Sequence, residues 1–308
     1  MRVSTNMMYQ SGVARISDLN SALNRTMQQI STNRRVLTPA DDAVAAARAL
    51  DVSQAQSVNA QYGANRQNVK SSLSQEDSVL SSVSALLTNV KSTVIAAGNG
   101  SLNDTDRASL ATELRGRFDE LLGLANSTDG SGNYLFSGHQ TATPAFARTA
   151  AGAQYQGDDG LRQLQVEASR LMNISDTGRR IFQGNGGAGE DVFKTLQDAI
   201  TLLETPVNGD PARSAALTAG LATANGNIDK AHDNVLTVRS AIGSRLAEID
   251  ALDDTGSARD LQYEQNIADL VGIDPVKAYS DLVQQKITLD AAQQAYATTS
   301  RLSLFQYL

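Results

Sequence analysis

Apolar side chains near the start of the chain recur four and three residues apart, at Tyr9, Val13, Ile16, Leu23, Met27 and Ile30, with Asn20 holding the intervening place. Positions so spaced share one face of a helix and predict a coiled-coil seam. The pattern breaks at Thr38-Pro39-Ala40-Asp41-Asp42. Thr38 suits a cap, Pro39 suits the first helical position, and the two aspartates complement a helix N-terminus, so a second helix is expected from about residue 39. Its frame runs through Ala45, Arg48, Val52, Ala55, Asn59, Tyr62, Arg66, Val69, Leu73, Glu76, Leu80, Val83, Leu87, Val90, Val94 and Ala97 without slipping. At 1.5 Å per residue that helix would be roughly 80 Å long. Gly98-Asn99-Gly100 ends it. A third helix starts at Asn103-Asp104-Thr105-Asp106, carries Leu110, Leu114, Phe118, Leu121, Leu122 and Ala125, and closes at Asp129-Gly130-Ser131-Gly132.

The pattern then changes. Between Asn133 and Gly189 glycine is dense and apolar runs are short. Tyr134-Leu135-Phe136 is one such run. Gln154-Tyr155-Gln156 and Leu161 to Val166, separated by Gly157-Asp158-Asp159-Gly160, predict a β-hairpin. Helical periodicity returns at Val192, Phe193, Leu196, Ile200 and Leu203. Asp210-Pro211 opens a long helix with Leu221, Ala224, Ile228, Ala231, Val235, Val238, Ile242, Arg245, Ile249 and Leu252 in its seam. Asp274-Pro275 opens the last one, with Ala278, Leu282, Gln285, Leu289, Ala292, Tyr296 and Thr299. The expected organisation is an N-terminal helical stem at 1–132, a β-rich insert at 133–190 and a C-terminal helical stem at 191–308. Neither stem half can cover its own apolar stripe. The fold class is therefore mainly α: a long antiparallel coiled-coil stem built from both chain ends, with a small β domain inserted in the middle.

Composition narrows the function. The 308 residues carry 26 Lys+Arg against 33 Asp+Glu, two histidines and neither Cys nor Trp. A net charge of −7 argues against nucleic-acid binding. Without cysteine there is no disulfide framework or thiolate metal site, and His139 and His232 stand far apart. Alanine fills about one position in seven, roughly twice ordinary usage, which suits helices packed closely side by side. No run approaching 20 apolar residues stands out as a membrane span. The first dozen residues lack the apolar stretch of a cleavable signal peptide.

Enzyme-like strings are few. Gly184-Asn185-Gly186-Gly187-Ala188-Gly189 matches G-x-G-x-x-G. A dinucleotide site needs a buried strand before that loop, a parallel strand after its helix and an acid for the ribose. The following helix instead leads to Glu204-Thr205-Pro206 and another helix, and Glu190 and Asp191 would repel a pyrophosphate, so a linker is the expected reading. Asp41-Asp42, Asp158-Asp159 and Asp253-Asp254 read as solvated caps or turns rather than catalytic carboxylates. The N-x-[ST] strings at Asn24, Asn103, Asn126 and Asn173 read as chance. No catalytic, cofactor or metal residues are expected. The functional content lies in the seams: Val13, Ile16, Leu23 and Ile30, then Leu282, Leu289 and Tyr296, then the apolar tail Leu302, Leu304, Phe305, Tyr307 and Leu308. Part of this is an intramolecular coiled coil. Polar or small seam residues and an uncovered tail point further, to termini that finish folding against neighbouring subunits.

Several stretches resemble the bacterial flagellin-like axial proteins. Ser31 to Ala43, with Leu37-Thr38-Pro39-Ala40-Asp41-Asp42, is similar to the break between that family's first two helices, and Asn103 to Arg107 to the start of its third. Gly132-Asn133-Tyr134-Leu135-Phe136-Ser137-Gly138, Tyr155-Gln156-Gly157-Asp158 and the ending Leu302-Ser303-Leu304-Phe305-Gln306-Tyr307-Leu308 are most similar to its hook-associated, junction-forming branch. Gly272-Ile273-Asp274-Pro275-Val276 departs from the family, which usually has an alanine-rich acidic stretch without proline there. The resemblance implies a non-enzymatic structural subunit of the flagellum, exported without a cleavable signal peptide and working outside the cell. It implies a ring of copies, a hook-side junction protein on one side, flagellin templated on the other, and a cytoplasmic export chaperone on the C-terminal helix. Membrane insertion and nucleic acid are not expected. The alternatives are a short flagellin forming the filament itself, a nucleotide enzyme, and a cytoplasmic signalling rod.

Overall fold

A computed structural model describes residues 2–184, 191–207 and 209–305; the side chains of 2–6 and 301–305 are not among the described groups. The element order is α1 (Arg2–Thr32), α2 (Ala43–Ala97), α3 (Asp104–Ala125), β1 (Phe146–Thr149), β2 (Gly152–Tyr155), β3 (Gln163–Glu167), β4 (Arg170–Asn173), α4 (Gly178–Phe182), α5 (Val192–Glu204), α6 (Pro211–Val271) and α7 (Pro275–Phe305). The mainly helical class, with a small β region between the helices, is as expected. The chain divides into two compact units, Gln61–Gly256 and the pair Met1–Ala60 with Ser257–Leu308; α2 and α6 run through both.

The core of the Gln61–Gly256 unit follows from the long frames. From Arg66 onward every α2 seam position is buried, through Val69, Leu73, Leu80, Val83, Leu87, Val90 and Val94. On α6, Leu221, Ala224, Ile228, Ala231, Val235, Val238, Ile242 and Ile249 are buried to match. The helices run antiparallel, as their cross-links show: Lys91 to Asp229 at 2.5 Å, Ser84 to His232 at 2.7 Å, Asp77 to Arg239 at 2.8 Å, Lys70 to Asp250 at 2.6 Å, and Arg66 to Asp253. Charges flanking a closed apolar seam fix register more than they add stability. α3 contributes Ala111, Leu114, Phe118 and Leu121 to the same core, and its start is a capping box between Asn103 and Asp106. An 18-residue window of α2 has mean hydropathy 1.4, membrane-like by length and composition. Its seam side chains are those buried against other helices of this unit.

The β region differs from the hairpin expected across Gly157–Gly160. β1 pairs with β2, and β3 with β4, as two separate antiparallel ladders. The Gly157–Gly160 segment connects the ladders instead: Asp158 Oδ1 accepts from the His139 and Gly160 amides, which binds the turn to the 139 loop. The hairpin turns lie elsewhere, at 168–169 between β3 and β4 and at 150–151 before Gly152, whose φ of +133° needs glycine. Five of the six phenylalanines meet beside β1 and β2. Phe146 lies 4.9 Å from Phe193 and 5.6 Å from Phe182 between centroids, Phe136 lies 5.7 Å from Phe182, and Phe118 lies 5.6 Å from Phe193. The phenylalanines are thus concentrated where α3, α4 and α5 meet the β region.

In the other unit, the break between α1 and α2 is wired differently from expectation. α2 starts at Ala43, not 39, because Asp42 caps it, accepting from the Ala45 amide at 2.9 Å. Asp41 accepts from the Leu37 and Thr38 amides, so Pro39 lies in the turn ahead of the helix. Val36, Ala45 and Val271 form a small core here, and the Arg35 amide donates to the Val271 carbonyl at 2.7 Å.

Candidate assembly interface

α1 and α7 pack antiparallel. On α7 six of the seven expected seam residues turn inward: Ala278 and Leu289 are buried, and Leu282, Gln285, Ala292 and Tyr296 half-buried, but Thr299, expected in the seam, is exposed. On α1 the inner face is Tyr9, Gly12, Ile16, Leu19, Leu23, Thr26 and Ile30. Tyr9, Ile16, Leu23 and Ile30 agree with the sequence reading. Val13, Asn20 and Met27 do not: Val13 is 54% exposed and Met27 47%. Each is replaced by the residue just before it.

The reason lies in what α7 presents. Tyr9 and Tyr296 meet edge to face, with ring centroids 6.1 Å apart. A Cβ on Gly12 would lie 2.8 Å from the Tyr296 ring, so glycine makes room for it. Thr26 donates both to the Ala22 carbonyl and, at 3.0 Å, to Gln285 Oε1 across the seam. A heptad anchor such as Tyr9–Ile16–Leu23–Ile30 allows either the +3 or the +4 partner. Apolar counting favours Val13 and Met27, whereas the partner side chains select Gly12 and Thr26.

α7 carries a second apolar row that the sequence reading missed: Val276, Tyr279, Val283 and Ile287, all more than half exposed. Its signal was present as the i, i+3, i+4 spacing next to the chosen seam. Val13 and Met27 add exposed apolar surface on α1. Between the helices, Tyr9, Gly12, Ile16, Ala292 and Tyr296 help line an open groove of about 420 Å³. Leu302, Leu304 and Phe305 lie on the last turns of the α7 backbone, but their side chains fall outside the described groups. Tyr307 and Leu308 lie outside the described residues, as do Asn185 to Gly189 of the glycine-rich string.

Other singled-out residues have structural partners. Asp41 is held below the usual carboxylate range by the Thr38 amide, then by the Leu37 amide and Arg25; Asp42 is lowered chiefly by the Ala45 amide. Asp253 lies inside α6, not at a cap or turn, and pairs with the buried Arg66. Asp159 faces Arg179. Among the described residues no group of three or more His, Asp or Glu side chains is placed to hold a metal.

Residues 3–141 match the family model of the bacterial flagellin N-terminal helical region. The flagellar hook-associated protein 3 of Escherichia coli K12 is 39% identical over 99% of this chain and 99% of its own. This chain belongs to the hook-associated protein 3 family. A solved flagellar hook-associated protein from Vibrio parahaemolyticus, 29% identical, superposes with a TM-score of 0.67 over 75% of this chain and all of that one. Flagellin of Bacillus subtilis is a more distant relative, 25% identical over 81% of this chain and 88% of its own. Membership in the hook-associated protein 3 family makes the chain one of the flagellin-like axial proteins, as the Ser31–Ala43 and Gly132–Gly138 motifs imply.

Proposed function

We propose that this chain is a structural subunit of the bacterial flagellum that joins the hook to the filament and templates flagellin assembly. Likeness to a hook-associated protein along the whole chain carries this reading. The likeness to flagellin is weaker and shorter, which leaves a short filament flagellin as the less supported alternative. Copies of the chain form a ring, one side mating with a hook-side junction protein and the other with flagellin. The stem segments 1–132 and 191–308 supply the contacts, and 133–190 is the inserted part. The protein leaves the cell through the flagellar export channel without a cleaved leader. A cytoplasmic chaperone holds its C-terminal helix before export. It works by contact alone, without catalysis, cofactor, metal, nucleic acid or membrane insertion.

The exposed rows support this reading. Val276, Tyr279, Val283 and Ile287 would leave a continuous apolar strip in water on an isolated subunit, which is costly unless something covers it. Residues Val13, Ile16, Leu23, Ile30, Leu282, Leu289 and Tyr296 and the tail from Leu302 are the proposed assembly seam, reached partly through the α1–α7 pair itself. Deleting the gene tests the proposal. Cells should then carry intact hooks without filaments and spill unpolymerised flagellin into the medium. Loss of the filament protein itself would favour the flagellin alternative.

A further inference from the structure

One buried carboxyl lies within the helical core of the Gln61–Gly256 unit. Glu76, on the α2 seam between Leu73 and Leu80, is 2% exposed. Its Oε1 accepts from the Asp176 amide at 3.1 Å, and its Oε2 has no hydrogen-bond partner among the described residues. Asp176 lies in the segment 174–177 joining β4 to α4, where Ser175, Asp176 and Thr177 are all buried. Three charged groups act on Glu76: Asp176 from that segment, Arg245 from α6, and Arg162 from the stretch before β3. None of the arginines is bonded to Glu76. Arg245 binds the Asp176 carboxylate and the Asn173 carbonyl, Arg162 donates to Ser175 Oγ at 3.3 Å, and Arg180 of α4 pairs with Asp176 at 3.5 Å.

The arrangement suits an ionised Asp176 and a neutral Glu76. A second negative charge would be buried beside the first, with one oxygen unbonded and the nearby cations engaged elsewhere. We infer that this cluster is a pH-gated clamp, in which neutral Glu76 holds the 174–177 segment on α2 and loss of its proton favours release of that segment. The clamp thus couples proton binding to the attachment of the β region on the long helix.

Burial, followed by the Asp176 charge, raises the Glu76 carboxyl to about 8. Between its ordinary value near 4.5 and about 8 the folded chain therefore holds a proton that the open form has lost. The clamp is fully stable below that window, weakens as pH rises through it, and levels off above about 8.

The test uses the full-length chain with carbon-13-labelled glutamate, titrated by NMR. One glutamate carboxyl should titrate near 8, and its signal should be absent from E76Q. Hydrogen exchange of the Asp176 amide, referenced to core amides of α2, should show opening that grows by up to about tenfold per pH unit within the window. In E76Q, whose amide oxygen can still accept from Asp176, the opening should be independent of pH. His139→Asn and His232→Asn should leave the wild-type slope intact. The inference fails if every glutamate titrates near its ordinary value. It also fails if E76Q keeps the slope or either histidine variant removes it. Should E76Q not fold, the wild-type carboxyl titration decides alone.

Discussion

At the residue scale, the positions that matter most are those where a partner leaves no choice. Gly152 combines a φ of +133° with a would-be Cβ within 3.0 Å of the Phe193 carbonyl and the Lys194 amide nitrogen, so the β1–β2 turn rests directly on the start of α5. Gly152→Ala should destabilise the chain by about 1–3 kcal/mol, read as a lower urea midpoint. Gly12 is a different case, since its backbone is ordinary and only the Tyr296 ring excludes a side chain. Gly12→Val should push α1 away from α7, costing about 1–3 kcal/mol of that contact. Circular dichroism should show part of the helix signal melting early, while amides of α2 and α6 between residues 69 and 249 keep their protection. Neither glycine was legible as a contact in the sequence, because hydrophobic periodicity counts side chains and takes no account of the space a missing one leaves for its partner.

At the element scale, long uninterrupted frames were legible and short polar segments were not. The α6 seam read from sequence is the seam observed, and so is that of α2 except at Arg48, which is exposed while the neighbouring Ala49 packs inward; a frame of sixteen heptad-spaced positions leaves little room for another register. The α1–α2 break was legible as a break but not in its wiring. Three residues there, Thr38, Asp41 and Asp42, can all cap, and only geometry assigns Asp42 to the Ala45 amide. Asp42→Ala should therefore cost about 1 kcal/mol and loosen the first turn of α2, whereas Pro39→Ala should change little. Exchange of the Ala45 and Ala46 amides would report the difference. The hairpin was misassigned because Gly157–Gly160 carries turn chemistry that serves a connection between two ladders, a distinction visible only in three dimensions. The α1–α7 pair itself is thinly packed: most of its seam residues are half-buried, against a closed seam along α2 from Arg66 onward. Its amides should exchange on the order of a hundredfold faster than those of α2 from Val69 to Val94.

For the whole molecule, two units of unequal closure suit a part that must be stable alone and yet join others. The Gln61–Gly256 unit holds the large core, including the phenylalanine cluster, and the other holds the exposed rows. Removing residues 293–308 should abolish incorporation into the flagellum while exchange protection in β1 to β4 stays unchanged. The acidic, cysteine-free composition fits a subunit that acts by contact, but the direction of those contacts along the axial structure is written in surfaces that no periodicity reveals. Reconstitution on isolated hooks bearing the hook-side junction protein tests the adaptor role most directly. Purified flagellin should grow filaments on these hooks only after this protein has been added, with one layer of it at the base of each filament. Filaments growing equally well without it, or built from this protein alone, would contradict the account.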